Sequence, residues 1–255
     1  MHSWAFNCLG YWHRRLKEAG LPVPDTRIYR VEKSRNLFRA LDGTDEGADE
    51  VLALARRIIS DLRSNPWPHG KPAFFRTGQT SAKHQWEDTC FLTEFSVESL
   101  CQKILGLIEY SVLADFVGLP CGVFCVRQFL EGPVLFYAFK NMPIRREFRC
   151  FADERGVHCI HFYWPAEAFE NEEELNDEEV RKVLAASAVL TEKERAELTS
   201  LATKAQLAIG EDRREWSIDI LETNQGWFIT DCAIADESFH EYQKGECNSW
   251  KIRGR

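Results

Sequence analysis

RREFRCF (Arg145–Phe151), the turn DERG (Asp153–Gly156) and VHCIHFY (Val157–Tyr163) follow almost without a break. Period-two alternation places Glu147 and Arg149 on one face of the first strand and Phe148 and Cys150 on the other, with Arg146 out of phase. The glycine-ended turn closes strands Arg146–Ala152 and Val157–Tyr163 into an antiparallel hairpin. Cations crowded on one strand are costly unless an anion sits among them or the face is solvated. The pattern alone leaves both readings open.

Outward from this hairpin the elements are mixed. VFCVRQFL (Val123–Leu130) reads as an apolar strand that turns polar before Glu131–Gly132, and Val134–Phe139 as another. Trp216–Leu221 and Trp227–Cys232 form a closing hairpin around the turn Thr223–Gly226. Upstream, LPVPDTRIYRV (Leu21–Val31) runs from a Pro-constrained loop into a strand, and Pro72–Arg76 and Phe91–Phe95 read as short strands. Helical spacing predicts helices over Trp4–Gly20, Glu50–Ser64, Ser96–Asp115, Asp177–Ala188 and Thr191–Ile209, the last with Thr191–Glu194 as a capping box. Asp42–Asp49 reads as a loop and Pro120–Gly122 as a turn. Without regular βαβ alternation, the fold class is α+β with antiparallel sheet. Asn65–Lys71, rich in Pro and Gly, marks the expected boundary between a subdomain at 1–70 and a core at 71–255, with an insertion at about 167–210.

The chain has 255 residues, 44% hydrophobic and 28% charged, and a formal charge of -8. That balance suits a soluble globular protein and counts against a general nucleic-acid binder, which needs clustered Lys and Arg. The nine cysteines are scattered with no CxxC pair, which argues against a zinc-thiolate site. With no signal peptide and no long apolar run, the expectation is mostly reduced thiols in a cytoplasmic protein without a membrane span.

Four segments carry polar groups where strand pattern would not place them. Arg76 ends a strand and Lys83 follows in the small-polar loop TGQTSAKHQ (Thr77–Gln85), which can fold over phosphates or be plain surface. VRQFLEG (Val126–Gly132) can read an adenine edge or simply leave the core. RREFRCF is the third. In the closing hairpin, Asp219 and Asp231 interrupt apolar strands, where unpaired carboxylates are expensive. They can chelate one hard cation, or pair with Arg146 or Arg149.

The order of these segments, from about Pro72 to Phe239 with a gap at Glu167–Gly210, resembles the ATP-grasp superfamily, most closely the cell-division-cycle 123 family and its bacterial and phage relatives. EFRCF is the most specific piece, and LPVPDT looks like the loop entering the first strand of many ATP-grasp ligases. The resemblance implies two lobes with antiparallel sheets clamping Mg²⁺-ATP, and a carboxylate activated as an acyl phosphate for attack by an amine or other nucleophile. Arg76 stands where the family has a phosphate-binding Lys, and Lys83 matches its loop cation. Arg127, Gln128, Phe129 and Leu130 match the adenine hinge, extended by Glu131. Arg149 matches the arginine on the phosphates, with Glu147 as its expected orienting partner, so Arg149 and Lys83 carry the catalytic expectation. Asp219 and Asp231 match magnesium ligands. The chain departs from the family at Ala233, where an Asn is usual, so Asp236 or Glu222 replaces that ligand or one metal site is weakened. The expected partner is a small-molecule or peptide carboxylate substrate. The alternative is an ATP-binding assembly chaperone with a protein partner; transfer to a nucleic-acid end fits the -8 charge worst.

Overall fold

The computed structural model describes residues 5–32, 34–70, 72–113, 122–170, 172, 175–210 and 214–238. Its first half runs α1 (Leu9–Glu18), β1 (Thr26–Arg30), α2 (Ser34–Arg39), α3 (Asp45–Ser64), β2 (Ala73–Thr77), α4 (Trp86–Thr89), β3 (Phe91–Leu92), α5 (Val97–Leu113) and β4 (Val123–Gln128). The strands form one antiparallel sheet in the order β1-β4-β2-β3. Period two divides it: Phe75 of β2 and Phe124 and Val126 of β4 pack with Leu54, Ile58 and Ile59 of α3 and Ile104 and Ile108 of α5. Phe74, Arg76, Cys125 and Arg127 have the opposite parity and turn the other way. Helix α3 starts at Asp45, ahead of the expected Glu50, because Thr44 caps it by accepting from the Gly47 N–H, with Asp45 and Glu46 in the positive first turn. The expected loop at Asp42–Asp49 is therefore largely helix.

The second half runs β5 (Phe136–Ala138), β6 (Met142–Ile144), β7 (Glu147–Asp153), β8 (Gly156–Phe162), α6 (Asp177–Ser187), α7 (Glu192–Ile209), β9 (Trp216–Thr223) and β10 (Gly226–Ile234). The second sheet is antiparallel in the order β10-β9-β7-β8. Phe148, Cys150, Ile218 and Ile220 pack on Leu198, Ala202, Ala205 and Ile209 of α7, and Trp12 and Leu16 of α1 join this core. Residues before 70 thus serve both halves: β1 completes the first sheet, and α1 packs with the second. The capping box at Thr191 is present as expected. Two antiparallel sheets with helices on their outer faces make the α+β class expected from the pattern.

Several expected elements are corrected. Phe91–Phe95 shortens to Phe91–Leu92, since Ser96 already accepts from the Ser99 N–H (3.1 Å) at the start of α5. Val134–Phe139 shortens to β5, which pairs with the unforeseen β6. Pro143 hides β6 in the sequence, yet a two-stranded ribbon tolerates it because β6 bonds only one neighbour. The short helix α2 was also not expected. Trp4, the helix end beyond Leu113 and most of the turn Pro120–Gly122 lie outside the described residues. Among the described residues no helix is long and apolar enough to cross a membrane.

The linker between β4 and β5 crosses the β9–β10 turn, where the Asn224 N–H donates to the Glu131 carbonyl (2.9 Å). A Cβ on Gly132 would lie 2.7 Å from the Glu222 carbonyl oxygen and 3.0 Å from the Thr223 Cα, both backbone. Gly132→Ala should therefore destabilise by about 1–3 kcal/mol, the usual cost of overpacking. Urea unfolding of the two proteins measures it, and an unchanged midpoint would show the linker to be loosely seated.

Candidate functional site

The inward faces of the two sheets bound an open cleft lined by residues of both. One end is apolar, lined by Phe74, Trp86, Phe129, Leu130 and Met142. There Trp86 and Phe129 ring centroids lie 6.1 Å apart, and Phe74 and Trp86 5.8 Å. The polar lining of the cleft is charged: among the described residues Arg76, Lys83, Arg127 and, beside Phe129, Arg145 line it with two carboxylates, Glu147 and Asp231. A chain of formal charge -8 thus lines its cleft with an excess of positive charge.

Each cation has a distinct environment. Arg76, 2% exposed, donates from Nε to the Thr77 carbonyl (3.0 Å) and from Nη1 to Asp231 (2.9 Å) across the cleft. Arg127, 3% exposed, donates from Nη1 to the Thr230 carbonyl (2.8 Å). Burial, reinforced by the charge of Arg76, lowers its pKa to about 10. Arg145 donates to the Leu130 carbonyl and lies over the Phe129 ring at 5.0 Å, and burial lowers its pKa too. Arg76 Nη2, Arg127 Nη2 and Arg145 Nε are buried and have no hydrogen-bond acceptor among the described residues. Lys83 donates to both oxygens of Glu147 (3.1 and 3.3 Å). Burial pulls its pKa down, but the charge of Glu147, with that of Asp219 farther off, more than offsets this and holds it above the ordinary lysine value.

The register of the second sheet aligns its polar residues. Arg149 of β7 is opposite Asp219 of β9, which is opposite Asp231 of β10. Arg149 grips Asp219 with a fork, Nε to Oδ1 at 2.7 Å and Nη2 to Oδ2 at 2.8 Å. This is the geometry arginine favours with a carboxylate. A register shift between Ile229 and Asp231 brings in Thr230, whose hydroxyl donates to Glu147 (2.9 Å).

The cleft therefore gathers Arg76, Lys83, Arg127, Gln128, Phe129, Leu130 and Asp231 from the expected set. Arg149 and Asp219 are not among its lining residues: they sit behind it, bound to each other, and Glu131 is exposed at its edge. Glu147 is not the partner that grips Arg149; Asp219 is, and Glu147 takes Lys83. Asp231 pairs with Arg76, not with Arg146 or Arg149. Arg146 leaves the opposite face of the sheet and reaches Glu194 and Glu222, so Glu222 is not the replacement ligand for Ala233. Asp236 does not line the cleft. Among the described residues no group of three or more His, Cys, Asp or Glu is placed to hold a metal ion. Gln128 is tied to the loop before β1, its N–H donating to the Asp25 carbonyl (2.8 Å). Sequence reasoning missed Arg145 as a cleft residue, Trp86, Trp164 and Thr230. Only Arg145 had a signal, sharing strand parity with Glu147 and Arg149.

No family model matches the chain, and no curated protein matches it. Solved structures do. The D-Ala:D-Ser ligase VanG of Enterococcus faecalis aligns with a TM-score of 0.50 and 11% identity over 90% of this chain and 52% of that one. The RimK domain ATP-grasp protein of Sphaerobacter thermophilus aligns over 90% of this chain and 59% of its own (TM-score 0.46, 13% identity). D-alanyl-alanine synthetase A of Vibrio cholerae aligns over 90% and 54% (TM-score 0.45, 12% identity). The fold is ATP-grasp. This chain spans 52–59% of the length of these three structures. None of the comparisons bears on the cell-division-cycle 123 family.

In the ATP-grasp cleft the two aspartates differ sharply in burial. The side chains of Arg149 and Asp219 are 13% and 5% exposed, whereas that of Asp231 is 32% exposed. Asp219→Asn, which removes the carboxylate from a fork on a buried guanidinium, should lower stability by about 3–5 kcal/mol. Asp231→Asn takes the charge partner from Arg76, whose side chain is 2% exposed, but Asp231 itself is 32% exposed and water reaches the pair, so the loss should be smaller, about 1–3 kcal/mol. Urea unfolding of both variants checks the order, and equal losses would contradict the assigned partners.

Proposed function

We propose that the chain binds Mg²⁺-ATP in this cleft and is an ATP-dependent ligase that activates a carboxylate as an acyl phosphate for attack by an amine or other nucleophile. The observation that carries the reading is the set of buried guanidinium N–H groups on Arg76, Arg127 and Arg145 that have no acceptor among the described residues, beside an aromatic slot. Each unmet buried donor costs about 1–3 kcal/mol, so the arrangement favours a ligand that is anionic at one end and flat and apolar at the other. A nucleoside triphosphate has that shape and charge.

In this reading Phe129, Leu130, Met142 and Trp86 hold the base, and Arg76, Arg127 and Lys83 hold the phosphates. Asp231 would offer carboxylate oxygen to a magnesium ion bound with the phosphates, while Asp219 stays behind the cleft in the grip of Arg149. The bound nucleotide supplies the phosphoryl group, and the metal neutralises its charge. The protein's own part is preorganisation. Lys83 and Arg76 are held in place by Glu147 and Asp231, and buried surroundings strengthen the field they present to a developing negative charge. Arg149, through its fork on Asp219, fixes the inner carboxylate.

These pairings have a consequence for binding order. A phosphate that takes Arg76 frees Asp231, and a cation that takes Asp231 frees Arg76. Nucleotide and metal therefore favour each other, a coupling that is reciprocal by linkage. A second reading, an ATP-binding assembly chaperone like those of the cell-division-cycle 123 family, draws support from Ala233, which stands where an Asn is usual and offers a metal no side-chain oxygen. Release of ADP and phosphate on adding mixtures of small acids or peptides with amines separates the two, since the chaperone needs no such turnover.

Thermal unfolding with Mg²⁺ alone, ATP alone and both together tests the site. Both together should stabilise by about 2.7 kcal/mol at a hundredfold excess over Kd, and by more than the two single additions combined. An unchanged melting temperature with millimolar Mg²⁺-ATP would contradict the nucleotide site; equal shifts with ATP alone would contradict the coupling.

A further inference from the structure

Tyr163 lies just beyond β8, and its N–H donates to the Glu147 carbonyl (2.8 Å), which fixes its backbone beside β7. Two cations from different parts of the chain use its ring. Lys83 Nζ is 4.5 Å from the ring centroid and Arg149 Cζ is 4.8 Å from it. Trp164 packs edge-on against Tyr163 (4.9 Å between centroids, 76° between planes) and lies 5.7 Å from Lys83 Nζ. The negative face of an aromatic ring attracts a nearby cation, more strongly where water is excluded.

The ring also differs in kind from the carboxylate on Lys83. Glu147 is an anion and competes with any anion that arrives for the ammonium. A neutral ring does not compete: its attraction for the cation persists when a phosphate oxygen takes the place of Glu147. A lysine on a flexible four-carbon stem otherwise loses rotamer freedom each time it binds an anion.

We propose that Tyr163 is a positioning residue of the anion site, its ring holding the Lys83 ammonium in place for an incoming phosphate. The proposal rests on the reading of the cleft as a triphosphate site. Lys83 acts directly on the anion; Tyr163 acts through it.

The test measures Kd by calorimetry for Mg²⁺-ATP and for inorganic tripolyphosphate with Mg²⁺, in the wild type, Tyr163→Phe and Tyr163→Leu, each also in a Lys83→Met background. Tyr163→Phe, which keeps the ring, should stay within about twofold of wild type for both ligands. Tyr163→Leu should weaken both about tenfold, the scale of losing partly desolvated cation–ring contacts. In the Lys83→Met background the same substitution should lose most of that effect, a coupling that simple loss of packing would not produce. If Tyr163→Leu does not unfold cooperatively, Tyr163→Met takes its place. Wild-type binding that Tyr163→Leu leaves unchanged, or an effect equally large without Lys83, overturns the proposal while the nucleotide reading stands. Absence of binding by the wild type to either ligand removes the nucleotide reading and the proposal with it.

Discussion

Two ion pairs cross between the sheets and define the cleft: Arg76 of the first sheet on Asp231 of the second, and Lys83, ahead of α4, on Glu147 of β7. Desolvating such charges is costly, and apolar residues of similar volume commonly join two surfaces at least as well. Their placement is therefore a constraint that the rest of the fold must meet. The sheets face each other because both carry apolar residues of one parity outward to helices and charged residues of the other parity inward. Arg127 completes the arrangement by donating from β4 to the Thr230 carbonyl of β10.

The same constraint gives the cleft its chemical character. Buried guanidinium groups keep their charge at neutral pH because arginine cannot shed its proton there. Where the local carboxylates do not satisfy every N–H, the remaining donors select for an anion. Aromatic and cationic residues line one cleft, so a single ligand can satisfy both. The Arg149–Asp219 fork stands behind this front row as a rigid backing. Its depth explains why it looks like a ligand set in sequence and yet lines no part of the cleft.

How much was legible follows the range of the interactions. Period two in RREFRCF correctly placed Glu147 and Arg149 on one face and Phe148 on the other, because alternation is a property of the local backbone. The capping box at Thr191 and the two hairpins were readable for the same reason. Partners were not. Arg76 and Asp231 are 155 residues apart in sequence, and Lys83 and Glu147 are 64 apart. Nothing local chose between Asp219 and Glu147 as the partner of Arg149; cross-strand register chose. Thr230 entered the site through a register shift that no alternating pattern foretells. β6 was hidden by Pro143, and the early start of α3 by an acidic stretch that reads as loop until Thr44 is recognised as its cap.

The central claim is that the guanidinium N–H groups without an acceptor among the described residues await a triphosphate whose base lies against the aromatic residues of the cleft. A crystal structure with Mg²⁺ and a non-hydrolysable ATP analogue tests it most directly. The account predicts phosphate oxygens within hydrogen-bonding distance of Arg76 Nη2 and Arg127 Nη2, a metal ion on Asp231, and the base against Phe129 and Leu130. A nucleotide bound elsewhere, with those donors still lacking an acceptor, would contradict it.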